Sequence, residues 1–81
     1  MQMEEQILAE GCRKGDDMAR KELYDRYAGR LLSICMRYAG DRATAEDLLH
    51  DAFLKIYGAF DRFTYQGTGS LRAWIERITV N

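Results

Sequence analysis

The sequence predicts an all-α fold: a small helical bundle of three main helices with a short N-terminal helix in front. Three observations predict it. Apolar residues return at steps of three and four along three separate stretches, which is the α-helical period. No stretch alternates apolar and polar residues as a half-buried strand does, and there is no proline to break a helix. Glycines and short oxygen-bearing side chains fall between the periodic stretches, where helices start and stop. A chain of 81 residues has room for one core, so residues 1–81 are expected to form a single domain.

Met3 to Arg13 reads as the short helix, with Ile7 and Leu8 as its apolar anchors and Gly11 and Gly15 at its end. Glu4 and Glu5 stand in its first turn, where the helix dipole favours acids. Asp16 or Asp17 caps the next helix. Its stripe is Leu23, Tyr27, Leu31, Ile34, Cys35 and Tyr38, widened by Met18, Leu32 and Met36, and it ends at Gly40. Asp41 or Thr44 caps the third helix. Its core stripe runs Ala45, Leu48, Leu49, Ala52, Phe53, Ile56, Tyr57 and Phe60. The run Phe63 to Ser70 holds two glycines and several hydroxyls and reads as a loop, with Phe63 folding back on the core and Tyr65 and Gln66 exposed. Thr68 or Ser70 caps the last helix, whose stripe is Leu71, Trp74, Ile75 and Ile78; that helix is unfinished at Asn81 and is expected to continue.

Composition excludes several classes. No apolar run approaches the roughly 20 residues that cross a bilayer, and the acidic, amphipathic start MQMEEQILAEG is unlike a signal peptide, so no membrane insertion and a cytoplasmic location are expected. Cys12, Cys35 and His50 match no zinc spacing, so no metal and no cofactor are expected; the cysteines read as small buried hydrophobes. No nucleophile stands with a plausible base and no phosphate loop is present, so the chain is not expected to be an enzyme.

Charge is divided along the chain although the net is only −1. From Ala43 to Asp61, Glu46, Asp47, Asp51 and Asp61 face one base, Lys55, a balance of −3. From Arg62 to Asn81, Arg62, Arg72 and Arg77 face one acid, Glu76, a balance of +2. That asymmetry points to two surfaces with different partners, the alternative being ordinary solvated helix faces. On the third helix, Asp47, His50, Asp51 and Leu54 recur at i, i+3, i+4 and i+7 opposite the core stripe, an acidic strip with one exposed leucine that suits a docking partner. In the loop and last helix, Tyr65 and Trp74 offer faces to stack a base, Arg72 and Arg77 can meet phosphates, and Gln66, Gly67, Thr68 and Ser70 can reach the edge of an unstacked base.

The run AEDLLHDAFLKIY followed by DRFTYQGTGSLRAWIERITVN resembles region 2 of bacterial sigma factors, and within them the extracytoplasmic-function (ECF) group. The likeness extends over the chain from the Asp16–Ala39 helix onward. It implies the sigma factor region 2 fold and a transcription-initiation role. It also implies that Asp47, His50, Asp51 and Leu54 dock on the β′ clamp coiled coil of RNA polymerase, His50 standing where the family often has Gln. The loop Phe63 to Ser70 would then capture a flipped base of the non-template strand of the promoter −10 element, while Arg72, Trp74, Arg77 and Asn81 lie along the adjacent DNA. An anti-sigma factor is a further expected partner. The second helical domain that reads the −35 element in that group has no counterpart in these residues, so the chain is not expected to direct transcription alone. A helical interaction module without nucleic-acid contact, such as an anti-sigma target, is the alternative. A duplex-reading helix-turn-helix is disfavoured, because no helix is dense in base-reading polar residues.

Overall fold

The structure, a computed structural model, describes residues 3–80. Its helices are α1 (Glu5–Arg13), α2 (Asp17–Ala39), α3 (Arg42–Ala59) and α4 (Ser70–Val80), with a 3₁₀ turn at Phe60–Arg62 between α3 and the loop. No strand occurs among the described residues. α2 is the axis of the bundle, against which α1, α3 and α4 all pack.

Local chemistry sets the boundaries. Gly15 at φ +79° closes α1, with its own amide on the Cys12 carbonyl and that of Asp16 on the Gly11 carbonyl. The Asp16 carboxylate then caps α2 by accepting from the Met18 amide at 3.1 Å. Gly40 at φ +84° ends α2. Asp41, not Thr44, caps α3: its two oxygens accept from the Thr44 amide at 2.9 Å and the Thr44 hydroxyl at 3.0 Å. Those bonds, the amide's first, hold the Asp41 carboxyl below its ordinary pKa.

The core is built from Leu8 and Cys12 of α1, Leu23 and Leu31 of α2, Leu49, Phe53 and Ile56 of α3, Phe60, and Leu71 and Ile75 of α4. Tyr27, Leu32, Ile34, Tyr57, Trp74 and Ile78 pack against it half-buried, and five apolar positions of the expected stripes are exposed. Ile7 is exposed, and the α1 anchors are Leu8, Ala9 and Cys12. Met18, Met36 and Tyr38 of α2 and Leu48 of α3 are also exposed, because no neighbouring helix covers those stripe edges. Cys12 and Cys35 are free and buried, and burial pushes the Cys12 thiol up to about 11.

Gly11 lies inside α1, not at its end, and packs against Ala19 of α2 with no room for a side chain. A Cβ there would sit 2.6 Å from the Ala19 Cβ. Gly11→Ala should therefore destabilise the fold by about 1–3 kcal/mol through overpacking, although alanine is the better helix former. Gly29, in the middle of α2, would place a Cβ in open space. Gly29→Ala should stabilise by up to about 1 kcal/mol. Urea unfolding of the two variants checks the opposite signs, and a Gly11→Ala variant at least as stable as wild type would show that α1 and α2 can separate without loss.

Candidate nucleic-acid interface

The polar-aromatic loop is held between α3 and α4 by contacts from both ends. On the α3 side, Arg13 of α1 donates to three carbonyls in and just after the turn: Nε to Phe60 at 3.4 Å, and Nη2 to Asp61 at 3.3 Å and Phe63 at 3.0 Å. Phe63 folds onto the core as expected and is 7% exposed. Trp74 packs against it at a tilt, ring centroids 4.8 Å apart, and against Phe60 at 5.0 Å. Trp74 is thus half core and half surface.

On the α4 side, neither Thr68 nor Ser70 supplies the cap. The Ser70 hydroxyl turns back and accepts from the Gln66 amide at 3.1 Å, inside the loop. The cap comes from Glu5, on the first turn of α1. Its carboxylate accepts from the Gly69 amide at 3.0 and 3.2 Å and from the Leu71 amide at 3.1 Å. The Tyr65 hydroxyl donates to the same carboxylate at 3.4 Å. Gly67 at φ +104° and Gly69 at φ +89° adopt the left-handed backbone that this path needs.

Between loop and α4 lies an open cleft of about 310 Å³, lined by Arg62, Phe63, Thr64, Gln66, Ser70, Trp74 and Arg77. It brings together Phe63, Gln66, Ser70, Trp74 and Arg77 of the expected DNA-contacting residues. Tyr65 is not among them: it is half-buried and faces α1, because its hydroxyl finds Glu5. Thr68 is exposed at the loop tip, and Gly67 is half-buried. Arg72 is exposed but paired with Glu76 at 3.0 Å, and the same carboxylate bonds Arg30 of α2. Arg30, then Arg72, hold the Glu76 carboxyl below its ordinary pKa. Arg62 and Arg77 form no ion pair among the described residues, so they leave the cleft positive. Asn81 lies outside the described residues.

The acidic strip occupies a different face. Asp47, His50, Asp51 and Leu54 are all exposed on α3, and Leu54 is 58% exposed. None of the three ionisable side chains enters an ion pair among the described residues. His50 and Leu54 border a groove whose other wall is Tyr24, Ala28 and Leu32 of α2. No group of three or more metal-ligating side chains occurs among the described residues, and none of their helices is long and apolar enough to cross a membrane.

The family model for Sigma-70 region 2 matches residues 23–81. This chain belongs to the Sigma-70 region 2 family. Among its curated relatives, the ECF RNA polymerase sigma-E factor of Escherichia coli (strain K12) is 37% identical over 82 residues, covering 99% of this chain and 40% of that protein. The sigma-E factor of Salmonella typhimurium (strain LT2) is 35% identical over the same span. The RNA polymerase sigma-H factor of Pseudomonas aeruginosa is 31% identical over 80 residues, again 40% of its length. The chain therefore spans about two fifths of these relatives.

Every residue of the acidic strip and of the cleft falls within the region 2 match, whereas Glu5 and Arg13 of α1 precede it. Sequence reasoning missed both as parts of the site. Glu5 carried a local explanation, an acid at a helix start, and Arg13, one of 12 lysines and arginines, carries no local signal that sets it apart. Arg62 and Thr64 were also missed as cleft residues. Arg62 closes the 3₁₀ turn just before the loop and Thr64 lies within the Phe63–Ser70 run, so nearness to the aromatic loop was the available signal for both.

Proposed function

We propose that this region 2 chain is part of a transcription-initiation factor that docks on RNA polymerase and holds an unstacked base of the promoter −10 element. The acidic strip of α3 would seat on the β′ clamp coiled coil, and the loop–α4 cleft would take a base of the non-template strand. The observation that carries this reading is the positive, aromatic-walled cleft between the loop and α4, separate from the acidic strip. Trp74 lines it with an aromatic surface, Gln66 and Ser70 offer hydrogen-bonding groups, and Arg62 and Arg77 offer charge for the flanking phosphates. A domain of net charge −1 gains little from phosphate neutralisation alone. Docking on polymerase would supply the missing affinity by raising local concentration.

Extruding a base from duplex costs a few kcal/mol, so holoenzyme should bind a pre-melted −10 strand more tightly than the duplex. Gln66→Ala should erase most of the discrimination among the four bases at the captured position, while Arg77→Ala should weaken all probes by a similar factor. The assay is reconstituted holoenzyme with single-stranded and duplex probes at fixed salt. Unchanged base preference in Gln66→Ala together with equal affinity for both probe types would leave the chain as a protein-docking module only.

A further inference from the structure

We infer that Glu5 is a positioning residue for base capture: α1, which never reaches the cleft, sets the shape of the loop that forms its wall. The inference rests on the base-capture reading above and adds to it the residue on which specificity depends. One carboxylate gathers the Gly69 amide, the Leu71 amide and the Tyr65 hydroxyl. Two of these are backbone donors at the start of α4 that the helix itself cannot satisfy. A charged acceptor there also gains from the helix dipole. Arg13 fixes the α3 end of the loop at the Phe63 carbonyl; beyond that point the remaining hydrogen bonds are local, the Gln66 amide on Ser70 Oγ and the turn from the Ser70 amide to the Gly67 carbonyl. Both glycines around Thr68 are in the left-handed region, which for glycine carries little preference of its own. Without Glu5, the Tyr65–Gly69 arc keeps only the partial burial of the Tyr65 ring against the core.

That arc carries Gln66, and Ser70 follows it directly, so a shift of the arc moves two polar groups of the cleft together. Tyr65, turned towards α1, belongs to the same device: it anchors the loop rather than stacking a base. A preformed wall lowers the ordering cost of binding, and the gain falls mainly on the base that fits the preset hydrogen-bonding pattern. Glu5 Oε1 accepts from both amides, at 3.2 and 3.1 Å, so a neutral carbonyl in the same place can keep both bonds.

The test compares Glu5→Ala, Glu5→Gln and Gln66→Ala in holoenzyme reconstituted from the intact protein. The probes are single-stranded −10 oligonucleotides carrying each of the four bases at the captured position. Amide hydrogen exchange of Gly69 and Leu71 is followed in parallel. Glu5→Ala should speed exchange at both amides and reduce the preference for the best base by about tenfold, the equivalent of one charge-assisted hydrogen bond. Polymerase docking should be unchanged. Glu5→Gln should restore most of the preference, which a purely global loss of stability would not predict. Faster exchange with preference intact, an equal loss on all four probes, or tighter binding by Glu5→Ala would each overturn the inference, the last by making Glu5 an occluding latch. If Gln66→Ala abolishes the preference and Glu5→Ala does not, only the inference fails. If neither changes it, the base-capture reading fails as well.

Discussion

Phe60→Ala should remove about 3–5 kcal/mol of folding stability, the usual loss on emptying a large buried aromatic site. Phe60 is 1% exposed and sits where α3 runs into the 3₁₀ turn. Its ring meets Phe63 edge-on at 6.0 Å and Trp74 at 5.0 Å, so the cavity would open directly beneath the cleft. A domain of this size has only about 5–15 kcal/mol in all. Phe53→Ala should cost a similar amount, since Phe53 is 3% exposed and packs on Tyr24 and Tyr57 at 4.9 and 5.7 Å. It lies away from Trp74, however, and the two variants should differ in one respect. Trp74 is the single tryptophan, so its emission reports the cleft. The folded Phe60→Ala variant should emit further to the red than wild type, and the folded Phe53→Ala variant should not. Urea unfolding gives the stability change and the native-state spectrum gives the local one. A loss below about 1 kcal/mol in Phe60→Ala would mean that the site collapses to refill itself.

The helices and most of the core were legible because period and capping chemistry act over three or four residues. Phe53, Ile56, Leu71 and Ile75 follow from phase alone. Leu48, Met36 and Tyr38 do not, although their phase is equally apolar. Phase says which side of a helix is apolar; cover depends on where the next helix lies, and no local pattern places it. The acidic strip was legible for the converse reason, since exposure opposite a core stripe is a property of one helix. The cleft was legible only in part. Gln66, Trp74 and Arg77 could be chosen by residue type, and they do converge. Tyr65 could not be placed, because its orientation is decided by Glu5, 60 residues away in the chain. Glu5 had a sufficient local reading, as an acid favoured by its own helix dipole, which hid its contacts to a different helix.

The double reversal Asp47→Arg with Asp51→Arg should lower affinity for core RNA polymerase by about 100-fold or more. Two carboxylates become two guanidiniums on one strip. Against a basic partner this replaces attraction with like-charge contact, which costs several kcal/mol, and about 2.8 kcal/mol is already a factor of 100. The fold should not suffer, because both side chains are exposed and neither takes part in an ion pair among the described residues. Leu54→Ala should weaken docking by a smaller factor, in keeping with the apolar area that a half-exposed leucine can contribute. Raising the salt should narrow the gap between wild type and double reversal, since exposed charges are screened over about 10 Å at 0.1 M, but should leave the Leu54→Ala effect nearly unchanged. Base preference at saturating polymerase should also survive the reversal, because the cleft is on another face. Titration of labelled core enzyme at two salt concentrations, with helical circular dichroism as the folding control, measures all of these. Undiminished core binding by a folded double reversal would remove α3 from the docking surface and leave the cleft as the functional face.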